Sequence, residues 1–151
     1  MRFRLFGTIE ALDRTGRVEL GSVAEYRLLG ILALHLGTVV RTDHLGPALE
    51  SVSRRAVQNV VVRLRKALAH DDEASVLTVG GGYVLTAPPE SVDLYRAVAR
   101  LRRPEHATSP AEAEARLRHE GLFGGLATPQ MRAMAEKKIS VLLTVGHVPG
   151  F

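Results

Sequence analysis

The 151-residue chain is long enough for one domain of ordinary size, or for a small domain with an appendage. Its hydrophobic fraction of 46% and charged fraction of 24% are typical of a globular protein and exclude a disordered one. The chain has no cysteine, which excludes disulfides, thiolate metal sites and thiol nucleophiles.

The net charge of +4 is unevenly distributed along the chain. Residues 1–90 contain 11 Lys and Arg and 10 Asp and Glu, a balance of +1, and residues 91–151 contain 9 and 6, a balance of +3. Within the nearly neutral first part, residues 53–68 hold five basic residues and no acidic one. Positive charge is therefore concentrated in one short segment.

The apolar runs are all far shorter than the ~20 residues that a membrane-spanning helix needs. The N-terminus reaches acidic residues too early to contain the apolar core of a signal peptide. We therefore expect a cytoplasmic protein with no membrane contact, and the absence of cysteine fits a reducing compartment.

The first half of the chain predicts a small sheet followed by two helices. Residues 2–6, 8–12 and 17–20 are short and strand-like, which predicts an N-terminal antiparallel sheet. Residues 23–36 have helical apolar spacing, with Gly37 as a candidate C-cap. A second helix is predicted to begin at Thr42 as its N-cap, and Pro47 predicts that this helix is short or kinked.

The basic segment predicts a third, amphipathic helix over residues 53–68, with Ser53 as its N-cap. At 100° per residue the apolar side chains fall on one face; they are Val57, Val60, Val61, Leu64 and Leu68. The opposite face and its flank carry polar and cationic side chains with one valine; they are Arg55, Gln58, Asn59, Val62, Arg63 and Lys66.

The remaining elements are a hairpin and a helical region. Residues 76–86 form two β-type runs joined by three glycines, which predicts a hairpin. Pro88 and Pro89 mark a boundary, and helices are predicted over about 91–103, 110–120 and 129–143. We therefore predict two domains, residues 1–89 and residues 90–151.

The outer face of the third helix has the side chains that read a major groove. Arg55, Gln58, Asn59 and Arg63 are predicted near base edges, and Arg54 and Lys66 on phosphates. Val62 is suited to a thymine methyl group. The composition alone fits a solvated amphipathic helix about equally well. The order of two helices, a basic helix and a glycine-tipped hairpin favours an α+β winged helix-turn-helix fold, followed by a short all-α region.

Four stretches in order resemble the Streptomyces antibiotic regulatory protein family: MRFRLFGTIEA, VVRTDHLGPAL, RRAVQNVVVRLRKAL and LTVGGGYVL. The resemblance covers about residues 1–90, and residues 91–145 resemble the beginning of that family's bacterial transcriptional activation domain. It implies an OmpR-type winged helix and a regulator of antibiotic biosynthesis that binds double-stranded promoter repeats and recruits RNA polymerase. Thr42 and Tyr83, which lie in the matching stretches, complete the predicted DNA contacts.

Three departures from the family pattern leave an alternative open. The loop before the third helix is only Glu50–Ser53 and has no tryptophan, and Val84 replaces a common arginine in the wing. The helical region is also shorter than in the family. The alternative is therefore a truncated interaction module that does not activate transcription, but pairs with another regulator or binds a small pathway metabolite.

The sequence gives little support to other kinds of site. The six histidines lack metal-site spacing, and the three glycines at 80–82 lack the Lys-Ser/Thr of a phosphate loop, so no metal, cofactor or enzymatic activity is predicted. The uncharged apolar stretch 139–146 must be covered by the rest of the chain or by a second copy. On this basis we predict a homodimer or a complex with another regulator.

Overall fold

The computed structural model describes residues 1–51, 53–103 and 109–144. Two small antiparallel sheets and six α-helices make up a mixed α/β fold. The strands are β1 (Arg2–Arg4), β2 (Glu10–Asp13), β3 (Gly16–Arg17), β4 (Val40–Arg41), β5 (Ser75–Val79) and β6 (Gly82–Thr86). The helices are α1 (Val23–Leu34), α2 (Thr42–Ala48), α3 (Arg54–Leu68), α4 (Asp93–Leu101), α5 (Pro110–Glu120) and α6 (Pro129–Thr144).

The first sheet is antiparallel, as predicted, and has the strand order β1-β2-β3. Phe3 pairs with Ala11 across the sheet, and both side chains are buried on its inner face. The outer face carries Arg4 and Glu10, which are paired at the same register and joined by an ion pair of 3.6 Å. Alternation with period two thus separates the core from solvent.

Helix α1 lies at the centre of the molecule, against α3, α6 and β6. Ser22 and Glu25 form a capping box: the Ser22 hydroxyl accepts from the amide of Glu25, and the Glu25 carboxylate accepts from the amide of Gly21 at 2.8 Å. The Glu25 carboxylate is almost fully buried, and its other oxygen accepts from the Ser22 hydroxyl at 3.3 Å. The helix ends at Leu34, two residues before the predicted end, and Gly37 lies beyond its cap with a φ of +75°.

Helix α2 is short, as Pro47 predicts, but its predicted N-cap is wrong. Arg41 occupies the cap position without a side-chain bond, and Thr42 is the first helical residue. The Thr42 hydroxyl is directed elsewhere, because it donates to the carbonyl of Gly81 at 3.0 Å. The other end of α2 is tied to the helical region, since the Thr128 hydroxyl donates to the carbonyl of Ala48.

The second sheet has the order β4-β6-β5. Strand β4 is only two residues long and was not predicted, because so short a segment has no measurable alternation. Strand β6 lies between β4 and β5, and four of its five residues are buried. The Val79–Gly82 pair closes a two-residue turn at Gly80–Gly81, in which Gly80 has a φ of +55°. Such a turn matches the twist of the strands that it joins.

The three helices after the hairpin pack onto the N-terminal part of the chain. The Asp93 carboxylate at the start of α4 accepts from the amides of Leu5 and Phe6 at 2.9 and 3.1 Å. The buried Tyr95 hydroxyl donates to the carbonyl of Leu34 at 2.7 Å. One hydrophobic core includes residues from both sides of position 89. Within the described residues, all the elements after position 89 are helical. The division into two domains at this position stays a prediction.

Candidate nucleic-acid interface

Helix α3 has the two faces that its sequence predicts. Ser53 caps the helix, and its hydroxyl accepts from the amide of Ala56 at 3.1 Å. The predicted apolar face is buried in full; its residues are Val57, Val60, Val61, Leu64 and Leu68. This face packs against α1, α2 and β5, which fixes the rotation of α3 about its own axis.

The opposite face of α3 is exposed along its whole length. The side chains on it and its flank are Arg55, Gln58, Asn59, Val62, Arg63 and Lys66, and Arg54 is also exposed in the first turn of the helix. Val62 is 47% exposed, although it is apolar. Within the described ranges, none of these four exposed cations takes part in an ion pair. The face is therefore available to a polyanion.

The fifth cation of α3 has a different environment. Arg65 is partly buried, and its Nε donates to the carbonyl of Val76 at 2.9 Å. Its Nη2 donates to the Thr78 hydroxyl at 2.6 Å, and its guanidinium lies 5.8 Å from the centroid of the Tyr83 ring. Sequence reasoning missed this contact, although Arg65 lies one turn after the buried Val61, at the edge of the apolar face.

The two other residues predicted to contact DNA, Thr42 and Tyr83, have partners within the protein. Thr42 is partly exposed, and both its amide and its hydroxyl donate to the Gly81 carbonyl at the hairpin tip at 3.0 Å. Tyr83 is only 7% exposed, because β6 is the central strand and Arg65 lies over the ring. Of the nine side chains predicted to touch DNA, Tyr83 is the one that is buried, and its contact with DNA stays a prediction.

Close packing of the backbone fixes the hairpin against β4. A Cβ atom at position 82 would overlap the carbonyl oxygen of Val40, so only glycine allows β4 and β6 to pair here. The hairpin has no charged residue between Ser75 and Thr86. Of these two elements, α3 therefore supplies the charge, and the hairpin contributes backbone groups and uncharged side chains.

The apolar stretch at the end of α6 is partly covered by the chain itself. Ile139 and Leu142 are buried in the shared core, whereas Val141 is 42% exposed. Residues 145 and 146 of the predicted apolar stretch lie outside the described residues. A single chain thus supplies much of the cover that the sequence requires, and the homodimer stays a prediction.

Other kinds of site find no support in the described part of the chain. No group of three His, Asp or Glu side chains there could hold a metal ion. None of the helices in these ranges is long and apolar enough to cross a membrane.

Comparison with known proteins supports the fold. No model of a known protein family matches the chain, and no curated protein matches it in sequence. Among solved structures it is similar to Mycobacterium tuberculosis EmbR, whose structure contains a low-affinity phosphopeptide. The TM-score is 0.61 at 22% identity, over 95% of this chain and 41% of the EmbR chain. The present chain thus spans less than half of that protein, and the likeness concerns the fold.

Proposed function

We propose that the chain is a sequence-specific DNA-binding transcriptional regulator, in which α3 is the recognition helix of a winged helix-turn-helix. The observation that carries the proposal is the outward face of α3, where four cations and two amide side chains are exposed. An α-helix with its side chains is ~10–12 Å wide, which fits the ~12 Å major groove of B-DNA.

The roles on this face follow from side-chain chemistry. Arg55 and Arg63 can donate two hydrogen bonds to guanine, and Gln58 and Asn59 can pair with adenine. Arg54 and Lys66 stand near the two ends of α3, where the sugar–phosphate strands border the groove, and are assigned to phosphates. The hairpin is the wing of this motif. The proposal assigns no catalytic role to the chain.

A gel-shift assay with DNA from upstream of the neighbouring genes tests the proposal. Binding through at least two phosphate contacts should weaken about tenfold between 50 and 200 mM salt, because each contact releases counterions. The double variant Arg54→Ala, Lys66→Ala should lose much of this salt dependence. The matched control Arg116→Ala, Arg132→Ala removes two exposed cations from α5 and α6 and should bind like the parent. Equal losses in both double variants would contradict the assignment to α3.

The finer parts of the proposal rest on the family resemblance of residues 1–90. They are that the promoters belong to antibiotic or other secondary-metabolite genes, that they contain repeated sites and that RNA polymerase is recruited. The homodimer rests instead on the apolar stretch 139–146. Footprints that cover two repeats, together with a dimer mass at assay concentration, are the expected results. A protected region of one half-site and a monomer mass would contradict the dimer.

A second candidate function is an interaction module that pairs with another regulator. Leu77 and Val79 are 47% and 45% exposed on one face of β5, and Val39 beside Gly82 is 40% exposed. Apolar side chains grouped in this way are found at protein contacts. Failure to bind any of the upstream DNAs, with retention of a second regulator by the parent chain but not by Leu77→Ser, would favour this candidate.

A further inference from the structure

The uncharged hairpin is joined to α3 by one of that helix's own cations. Arg65 uses two different nitrogens, Nε on the carbonyl of Val76 and Nη2 on the hydroxyl of Thr78. Its guanidinium carbon lies over the ring of Tyr83 on the neighbouring strand, 5.8 Å from the ring centroid. The three contacts involve both strands of the hairpin, so they resist a rotation of the hairpin relative to α3.

The chemistry of these contacts is specific to arginine. A guanidinium presents several donors in a fixed plane and stacks on an aromatic ring, whereas a lysine ammonium is a single point charge. Val76 belongs to β5, which is an edge strand, so Arg65 also satisfies a carbonyl at an open edge of the sheet. The partial burial of Arg65 separates it from the four exposed cations of the outward face.

We propose that Arg65 is a positioning residue for DNA binding, which fixes the hairpin relative to α3 so that both can contact one duplex. This inference rests on the proposed function. Thr42 provides a second tie, at the tip of the hairpin, through its bonds to the Gly81 carbonyl. Arg65 increases the affinity for DNA because it increases the fraction of molecules in which the hairpin is held beside α3. It neutralises no phosphate.

DNA binding of the variants Arg65→Ala and Arg65→Lys, measured across salt concentrations, separates positioning from a direct charge contact. Both variants should weaken binding by roughly tenfold, because charge-assisted hydrogen bonds are lost in each. The salt dependence should stay that of the parent, since no phosphate contact is removed. The matched control Lys66→Ala should instead reduce the slope of log K against log salt by about one. Parental affinity in Arg65→Lys would overturn the inference.

Amide hydrogen exchange of the free, full chain provides a readout that needs no DNA. In both Arg65 variants the amides of residues 77–83 should exchange roughly tenfold faster, while those of α1 stay at the parental rate. Unchanged exchange in the hairpin would overturn the positioning role. If the parent chain binds no DNA, the proposed function fails, and exchange still decides whether Arg65 fixes the hairpin.

The variant Thr78→Val keeps the Arg65 charge and removes only the hydroxyl that accepts from Nη2. It should change exchange and affinity in the same direction as Arg65→Ala, by about threefold, since one of the bonds is lost. Thr78 is exposed, so this variant should fold even if Arg65→Ala does not. Parental exchange and parental affinity in Thr78→Val would contradict the proposal.

Discussion

Helices α1 and α3 pack against each other but differ in how much of each helix is buried. Helix α1 buries every residue from Leu28 to Leu34, so it has no solvent face over this stretch. Helix α3 buries five residues of fifteen, and its remaining faces carry all five of its cations. The difference shows that the fold uses α1 as its centre and holds α3 at the surface by one face only. Substitutions in α1 should affect stability, and those on the outer face of α3 should affect binding.

The largest effect is expected in α1. Leu32 is fully buried and belongs to the shared core, so Leu32→Ala should lower the free energy of unfolding by about 2–5 kcal/mol through lost burial and a cavity. Denaturant unfolding of the full chain measures this loss. Val62→Ala on the exposed face of α3 is the matched control and should change the free energy of unfolding by less than about 0.5 kcal/mol. Similar losses in the two variants would remove the distinction between the helices.

The converse experiment is made on the outward face of α3. Arg55→Ala should cost about 1–3 kcal/mol of binding free energy on the specific DNA and relax the preference at one base pair. Lys66→Ala should weaken binding to all sequences alike, and both variants should unfold like the parent. Titrations against the specific site and against single base-pair changes measure the difference. Identical profiles of the two variants on every DNA would contradict the division into base and phosphate contacts.

Much of this architecture is predictable because its signals are local. The helix predicted over about 110–120 is α5, and the predicted N-cap Ser53 caps α3. The apolar stripe of α3 is visible at helical spacing, and the buried residues are those predicted. The exposed residues of α3 are predictable from the same spacing, because side chains opposite a buried stripe point into solvent.

The sequence could not indicate how the hairpin is attached. The bond from Thr42 to Gly81 joins residues 39 positions apart, and no local pattern encodes it. In the sequence, Tyr83 has the pattern of an exposed hairpin residue. It is buried in the structure, where the two-residue strand β4 pairs with β6. Arg65 lies at the edge of the apolar face of α3, where helical spacing does not decide between solvent and a neighbouring strand. The sequence therefore does not reveal that Thr42 bonds to the hairpin tip or that Tyr83 is buried, and their contacts with DNA stay predictions.

A substitution at the N-cap of α3 should lower the free energy of unfolding by less than a substitution in the buried part of α1. Ser53→Ala removes the hydroxyl that accepts from the amide of Ala56, and a lost N-cap costs about 1 kcal/mol. Thermal or denaturant unfolding measures this loss, and Ser53→Asp should retain most of the parental stability because aspartate is also a good cap. A loss in Ser53→Asp as large as in Ser53→Ala would show that the cap does not stabilise the exposed helix.

The smallest effect concerns pH and the contact between α4 and the N-terminal sheet. Burial raises the pKa of the Asp93 carboxyl, and the hydrogen bonds from the amides of Leu5 and Phe6 oppose this effect without cancelling it. Because the folded pKa is above the unfolded value of about 3.8, the protonated form is favoured by folding. The stability contributed by this group is therefore fully present below that value and is lost as pH rises through the folded pKa. Asp93→Asn removes the titration, so the parent should lose stability relative to this variant as pH rises from 4 to 7. A parent that gains stability over this interval would show that the two amide bonds outweigh the cost of burial.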